Sequence, residues 1–256
     1  MQGKRIRYKR CNAKSNIYAI RRSIKYALPV LTAIMLFMFL AKELHKDDAV
    51  SAINQDTLTT GIHSTAVAKD SDGVKRIALT FDDGPHPIYT EKLLDGLSER
   101  EIKASFFLLG KQCERYPDIV ERIAEEGHLI GNHTYSHIQL TGKNLERFQE
   151  ELVQTSGIIE TLTGTQVTYV RPPFGVWNKK IEESLNMLPV FWNIDPLDWC
   201  TSNSDNVCYR VTSKAKDNAI VLLHDSYEST VNATFKIIDA LLSEGYEFVT
   251  VDELLF

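Results

Sequence analysis

Apolar positions along this chain fall into two regimes. Between residues 26 and 41, sixteen consecutive positions carry no charge. From Lys75 onward the pattern changes to short runs rich in β-branched and aromatic residues, at 76–82, 104–110, 128–132, 167–171, 189–195, 219–225 and 247–251. Stretches with helical spacing, such as 117–126 and 145–162, lie between them. Seven such runs alternating with helices predict a parallel sheet built from right-handed crossovers. The runs are apolar on both faces, as strands covered on each side require. This region of about 180 residues is small for a complete eight-unit barrel and suits an α/β barrel lacking one unit. The alternative is an open doubly wound sheet; against it, the first strand–helix turn lacks the Gly-x-Gly-x-x-Gly that receives a dinucleotide.

Charge explains the uncharged run. Residues 1–25 hold nine Lys or Arg and no acid, leaving 20 bases against 34 acids in the rest of the chain. A basic arm on an acidic body argues against nucleic acid as a partner, because phosphate repels the body. The arm instead matches the positive-inside signal of a membrane protein. Sixteen residues are slightly short of the ~20 that span a bilayer, but Lys25 and Lys42 can snorkel and extend the span. A cleaved signal peptide needs small residues at −3 and −1. With Ala41 at −1, Phe39 at −3 is too large. The reading is a transmembrane signal anchor at 26–41, with the 1–25 arm in the cytoplasm and the body outside. Residues 42–74, polar and without sustained periodicity, read as a linker. With 256 residues, 43% of them hydrophobic and 25% charged, the chain is no disulfide mini-scaffold, collagen-like repeat or mostly disordered polymer. Of its cysteines, Cys200 and Cys208 are spaced to pair in an oxidising space.

The runs end in chemistry. Asp82 and Asp83, then His133, Arg171, Asp195 and His224 stand at or just beyond the ends of predicted strands. In a parallel barrel those positions share the rim at which active sites sit. Adjacent carboxylates on extended chain point apart, so one of Asp82 and Asp83 can ligate a metal while the other faces substrate. His133 and His137, four apart, fall on one face if that segment is a helical turn. Together with an Asp from another strand they make a two-His, one-carboxylate set with open coordination positions, as catalytic rather than structural sites have. His86 reads as a surface residue after a turn and His128 as a packed polar residue, so neither joins the set.

Five segments here resemble, in order, the five motifs of the polysaccharide deacetylases, the NodB homology domain of carbohydrate esterase family 4. They are Thr80-Phe81-Asp82-Asp83-Gly84-Pro85, His133-Thr134-Tyr135-Ser136-His137, Arg171-Pro172-Pro173-Phe174-Gly175, Asp195-Pro196-Leu197-Asp198-Trp199 and Leu222-Leu223-His224. The resemblance spans residues 75–256 and implies a distorted (β/α) barrel of seven strands. It implies a divalent metal, usually zinc with cobalt or nickel able to serve, on Asp83, His133 and His137. Asp82 becomes the general base, Arg171 its electrostatic partner, His224 the general acid and Asp198 the group that keeps His224 protonated. On the substrate side it implies Pro173, Phe174 with its backbone N–H toward the oxyanion, Trp199 and Leu222 around the acetyl methyl, and Asp195 steadying the loop. Phe174 stands where many members carry Tyr, which alters sugar contacts but not the backbone donor.

The expected function is removal of N-acetyl groups from an acetylated polysaccharide, with peptidoglycan N-acetylglucosamine the first choice for a domain held outside a bacterial membrane. The alternatives are a chitin or chitooligosaccharide deacetylase, an O-acetyl xylan esterase and a membrane-tethered glycan-binding module. The last has no use for a general base and a general acid.

Overall fold

The computed structural model describes residues 73–255. The basic arm, the expected span at 26–41 and nearly all of the 42–74 linker lie outside the described residues. No helix among the described residues is long and apolar enough to cross a membrane. The chain runs β1 (Lys75–Asp82), α1 (Tyr89–Ser98), β2 (Ser105–Leu108), α2 (Gly110–Arg115), α3 (Pro117–Glu125), β3 (Leu129–Asn132), α4 (Leu145–Thr163) and β4 (Tyr169–Val170). It continues through α5 (Lys179–Leu185), β5 (Leu188–Pro189), α6 (Ser204–Thr212), β6 (Ala219–His224), α7 (Glu228–Ser243), β7 (Tyr246–Phe248) and α8 (Val251–Leu255). Local chemistry sets several boundaries. Pro117 opens α3, where a missing N–H costs nothing. Asn203 caps α6 by accepting from the Asn206 N–H at 3.0 Å. Gly164, at φ 67°, ends α4 in the left-handed conformation.

All strand pairs are parallel, in the order β5-β4-β3-β2-β1-β6, with β7 on β1. Ile77 pairs with both Ala219 of β6 and Phe248 of β7, so β7 occupies the β2 edge of β1, below β2. The seven expected runs thus supply the seven strands found among the described residues, with one correction. The run 189–195 is not a single strand. Its start pairs with β4, where the Val190 N–H donates to the Val170 carbonyl at 2.8 Å. The chain then crosses to β6 and makes one bridge, Ile194 with Val221. With one barrel unit missing, the same segment must serve two strands that do not touch, and it bends between them. A second point concerns the cysteines: Cys208 carries a free thiol, so the pairing with Cys200 that their spacing permits is not formed.

Strand alternation sorts side chains into two cores. On β1, Ile77, Leu79 and Phe81 face the helices and join the large cluster that includes Leu93, Ile123, Phe148 and Ile237. Ala78 faces inward with Phe107, Val190 and Val251, closing the interior at its base. Above them on the same face of β1 come Thr80 and then Asp82, both buried. The buried guanidinium of Arg171 lies 4.2 Å from the centre of the Phe107 ring. The barrel interior is therefore apolar at the bottom and charged at the top.

Gly131 permits this layering. A Cβ there would lie 2.5 Å from two ring carbons of Phe107 and 3.2 Å from the Tyr169 carbonyl oxygen. Gly131→Ala is expected to cost about 1–3 kcal/mol through overpacking, lowering Tm by roughly 2–4 °C per kcal/mol for a domain of this size. Thermal unfolding followed by circular dichroism checks this, and an unchanged Tm contradicts the packing described.

Candidate active site

The rim at the carboxyl ends of the strands gathers residues from β1, β3, β4 and β6. Asp82 and His224 are paired positions at the ends of β1 and β6. His133 follows β3 directly, and Arg171 follows β4. The loops that present them are conformationally costly. Among the described residues eight non-glycine positions have positive φ, and five of them (Asp83, Thr134, His137, Phe174 and Leu197) belong to this rim. Such conformations persist only where the surroundings over-determine them.

Asp83, His133 and His137 offer ligand atoms that all lie within 4.8 Å of one another. Asp83 Oδ1 is 3.5 Å from Nε2 of each histidine. Donors about 2.1 Å from one tetrahedrally coordinated ion stand roughly 3.4 Å apart, so the spacing suits an ion of that size. Asp83 Oδ1 is buried with no hydrogen-bond partner, a state costly for a carboxylate oxygen unless a cation meets it. His133 Nδ1 donates to the Arg171 carbonyl at 2.6 Å, which leaves the Nε2 lone pair toward Asp83. Burial pushes the His133 imidazole down to about 3 against the opposing pull of Asp83, holding it in the neutral, ligating form. The donor set therefore fits a divalent ion. A helical turn over 133–137, one way to put both rings on one face, is not formed. The segment is a loop whose carbonyls at Thr134 and Tyr135 accept from the first N–H groups of α2, Gly110 at 3.0 Å and Lys111 at 3.2 Å. Helix α2 thus uses its unpaired donors to shape the loop, and positive φ at Thr134 and His137 replaces helical periodicity in bringing the two rings to 5.0 Å.

Beside this set, Asp82 and Arg171 form a buried ion pair, Nη1 to Oδ1 at 2.9 Å. The same nitrogen donates to the Thr80 hydroxyl at 2.6 Å, and Nε donates to the Val190 carbonyl at 3.2 Å. Burial raises the Asp82 carboxyl above its ordinary range, while the charge and hydrogen bond of Arg171 pull it back. The result is a desolvated carboxylate more basic than a surface one.

Across the rim, His224 Nδ1 donates to Asp198 Oδ1 at 2.9 Å. The other oxygen of the fully buried Asp198 accepts from the His224 backbone N–H and the Thr230 hydroxyl, each at 2.8 Å. Burial opposes charge on this imidazole, but the hydrogen bond and charge of Asp198 outweigh it and lift His224 to about 9.

The remaining expected residues are distributed around these groups. Phe174 is 63% exposed at φ 61°, with its ring edge-on to His137 at 4.8 Å. Pro173 is buried beside it, Leu222 is buried on β6, and Trp199 stands half-exposed on the short 3₁₀ turn Asp198–Cys200. Asp195 accepts from the Leu197 N–H at 2.8 Å, bracing the loop that leads to Asp198. His128 is buried and accepts from the Ala104 N–H, as a packed polar residue. His86 is half-buried rather than on the surface, because its Nδ1 accepts from the N–H groups of Ile88 and Tyr89 at the start of α1.

Sequence reasoning missed Asp225. Its fully buried carboxylate accepts from the Thr90 hydroxyl at 2.5 Å, and a Cβ on Gly84 would sit 2.4 Å from Oδ2. Burial, offset by the Thr90 bond and reinforced by the charge of Asp83, pushes this carboxyl up to about 7. Asp225 follows His224 directly, but its partners lie some 140 positions away, so no local pattern marks it.

Comparison with known proteins gives a consistent picture. The family model described as polysaccharide deacetylase matches residues 69–190. The peptidoglycan-N-acetylglucosamine deacetylase PgdA of Listeria monocytogenes is 38% identical over 207 residues, covering 81% of this chain and 44% of the relative. The chain therefore spans less than half the length of that protein. The structure of the peptidoglycan deacetylase PdaC from Bacillus subtilis superposes with a TM-score of 0.69 at 38% identity, over 72% of this chain and 91% of that one. A family 4 acetyl xylan esterase from Clostridium thermocellum, in complex with a cobalt ion, superposes with a TM-score of 0.66 at 31% identity, over 71% and 90%.

The His224–Asp198 pair makes a prediction independent of any reaction. A folded-state value of about 9, above the ordinary 6.5, means the pair stabilises the fold fully below about 6.5 and progressively less as pH rises through about 9. Histidine NMR on the metal-free protein should find His224 titrating well above 6.5. Asp198→Asn should bring the midpoint down, because burial then acts without an opposing charge. A wild-type midpoint at or below 6.5 contradicts the assignment.

Proposed function

The chain belongs to the polysaccharide deacetylase family, and from that membership we propose that it is a metal-dependent hydrolase removing N-acetyl groups from peptidoglycan N-acetylglucosamine. One observation carries the reading. A desolvated carboxylate, Asp82, and an imidazole held as its cation, His224, end adjacent strands at paired positions, beside a three-donor metal set. A module that only binds glycan needs neither a base nor an acid; amide hydrolysis needs both.

A divalent ion on Asp83, His133 and His137, zinc in this proposal with cobalt or nickel as substitutes, supplies Lewis-acid polarisation and a lowered water pKa. Asp82 takes a proton from the attacking water, and Arg171 keeps that carboxylate ionised and aimed. The Phe174 N–H donates toward the oxygen on which negative charge develops. Asp198 binds His224 Nδ1, which leaves the Nε2 proton for the departing amine. Leu222 and Trp199 enclose the acetyl methyl, with Pro173 and Phe174 shaping the opposite wall and Asp195 bracing the loop that carries Asp198.

The names of similar proteins support peptidoglycan as substrate. The uncharged run at 26–41 behind nine basic residues supports a place for the reaction, with the N-terminus cytoplasmic and the domain tethered outside a cell membrane. A second reading, an O-acetyl esterase acting on xylan, draws on the likeness to the acetyl xylan esterase, since the same base and metal serve an ester.

Acetate release from peptidoglycan, chitin oligomers and acetylated xylan, measured in parallel, should be fastest on peptidoglycan; fastest release from xylan favours the second reading. A strong chelator should abolish turnover, and zinc or cobalt should restore it. Asp82→Asn should lower turnover by roughly 10²–10⁴-fold, the usual worth of a positioned base, with metal content retained. Asp83→Asn should lose metal and activity together. If elemental analysis finds the ion kept in Asp83→Asn and lost in Asp82→Asn, the roles of base and ligand are reversed.

A further inference from the structure

The two histidines of the donor set are held differently. His133 is fixed through its ring by the bond to the Arg171 carbonyl. Among the described residues no hydrogen bond reaches the ring of His137, which packs between the rings of His133 and Phe174. The position of His137 Nε2 therefore depends on its backbone, which sits at φ 63°. What fixes that backbone comes from outside the rim. Glu151, in the middle of α4, is buried, with its carboxylate turned to the preceding residue. Its Oε2 accepts from the Ser136 N–H at 2.9 Å and its Oε1 from the Ser136 hydroxyl at 2.7 Å. The next residues on the same helix continue the support. The Leu152 carbonyl and the Ser156 hydroxyl accept from Asn132 Nδ2, and Asn132 Oδ1 accepts from the Thr134 N–H at 2.8 Å.

We infer that Glu151 is a positioning residue for the metal site, clamping Ser136 through both of its donors so that His137 presents Nε2 at the distance the ion requires. This rests on the metal-binding reading of Asp83, His133 and His137. Among the described residues the one ion pair to this carboxylate comes from Arg147 at 3.8 Å, whose side chain is itself 68% exposed, and a long contact to a solvated guanidinium contributes little. A nearly buried carboxylate whose two oxygens both serve one loop residue has its use in that loop. Glutamine can reproduce the pattern: its carbonyl accepts the Ser136 N–H while its amide donates to a rotated Ser136 hydroxyl. Alanine can reproduce neither bond.

The test is zinc affinity of the full chain, stripped of metal and titrated against a chelating competitor well below its Tm. Glu151→Ala is expected to weaken zinc binding by roughly 10–100-fold, as loss of an outer support typically does, and Glu151→Gln to restore it to within a few-fold of wild type. Ser136→Ala, which removes one of the two bonds without touching α4, should weaken binding by a smaller factor and keeps the test decisive if Glu151→Ala does not fold. Unchanged affinity in Glu151→Ala with a lowered Tm assigns Glu151 to helix packing and overturns the inference, as does unchanged affinity in Ser136→Ala where that variant must decide. Equal loss in the Ala and Gln variants overturns it too, since the hydrogen bonds would then not be the cause. A wild-type chain that binds no zinc overturns the metal-site reading along with it.

Discussion

A guanidinium sealed from solvent is the constraint around which this domain is arranged. Arg171 has no exposed surface, and among the described residues its charge meets a single carboxylate, Asp82. Removing such a charge from water costs several kcal/mol before any interaction is gained. The barrel compensates by stacking the group on Phe107, taking Nε with the Val190 carbonyl and sharing Nη1 between Thr80 and Asp82. Those contacts come from β1, β2 and the segment after β5, so the charge ties together strands that are distant in sequence. Burial also makes the Asp82 carboxylate basic without letting it become solvated.

The rim above this pair is held by contacts made at the expense of backbone comfort. Asp83, Thr134, His137, Phe174 and Leu197 all adopt positive φ, and each lies in or next to a group the proposed reaction uses. Helix α2 satisfies the loop after β3 with its first N–H groups, Asp225 packs against Gly84 beneath the loop after β1, and Asp195 braces the loop before Asp198. The helices thus do more than cover the sheet: their ends and inner faces set the loops that carry the donor atoms.

Much of this was legible in the sequence, for identifiable reasons. Strands buried on both faces leave continuous apolar runs, so all seven appeared. Polar residues ending those runs, Asp82, His133, Arg171 and His224, marked the rim because a parallel barrel places every strand end on one side. Three features resisted. The i, i+4 spacing of His133 and His137 suits a helical turn equally well, and nothing local announces the two left-handed residues that form the loop instead. The crossing after Pro189 reads as strand because its apolar content serves β4 first and β6 afterwards. Asp225 meets Thr90 across 135 positions, and Glu151 meets Ser136 only where α4 packs on the loop after β3, so their roles emerge only once the chain has folded. The uncharged run at 26–41 lies outside the described residues.

If the buried Arg171–Asp82 pair serves the proposed chemistry rather than the fold, the fold should tolerate its joint replacement. A double-mutant cycle separates the two roles, with unfolding free energy from denaturant titration and acetate release measured on the same four proteins. Arg171→Met alone should destabilise by roughly 3–5 kcal/mol, because it leaves a buried carboxylate unpaired. Adding Asp82→Asn should return a substantial part of that stability while acetate release stays abolished. Additive losses of stability, or acetate release that survives in the double variant, would contradict the account.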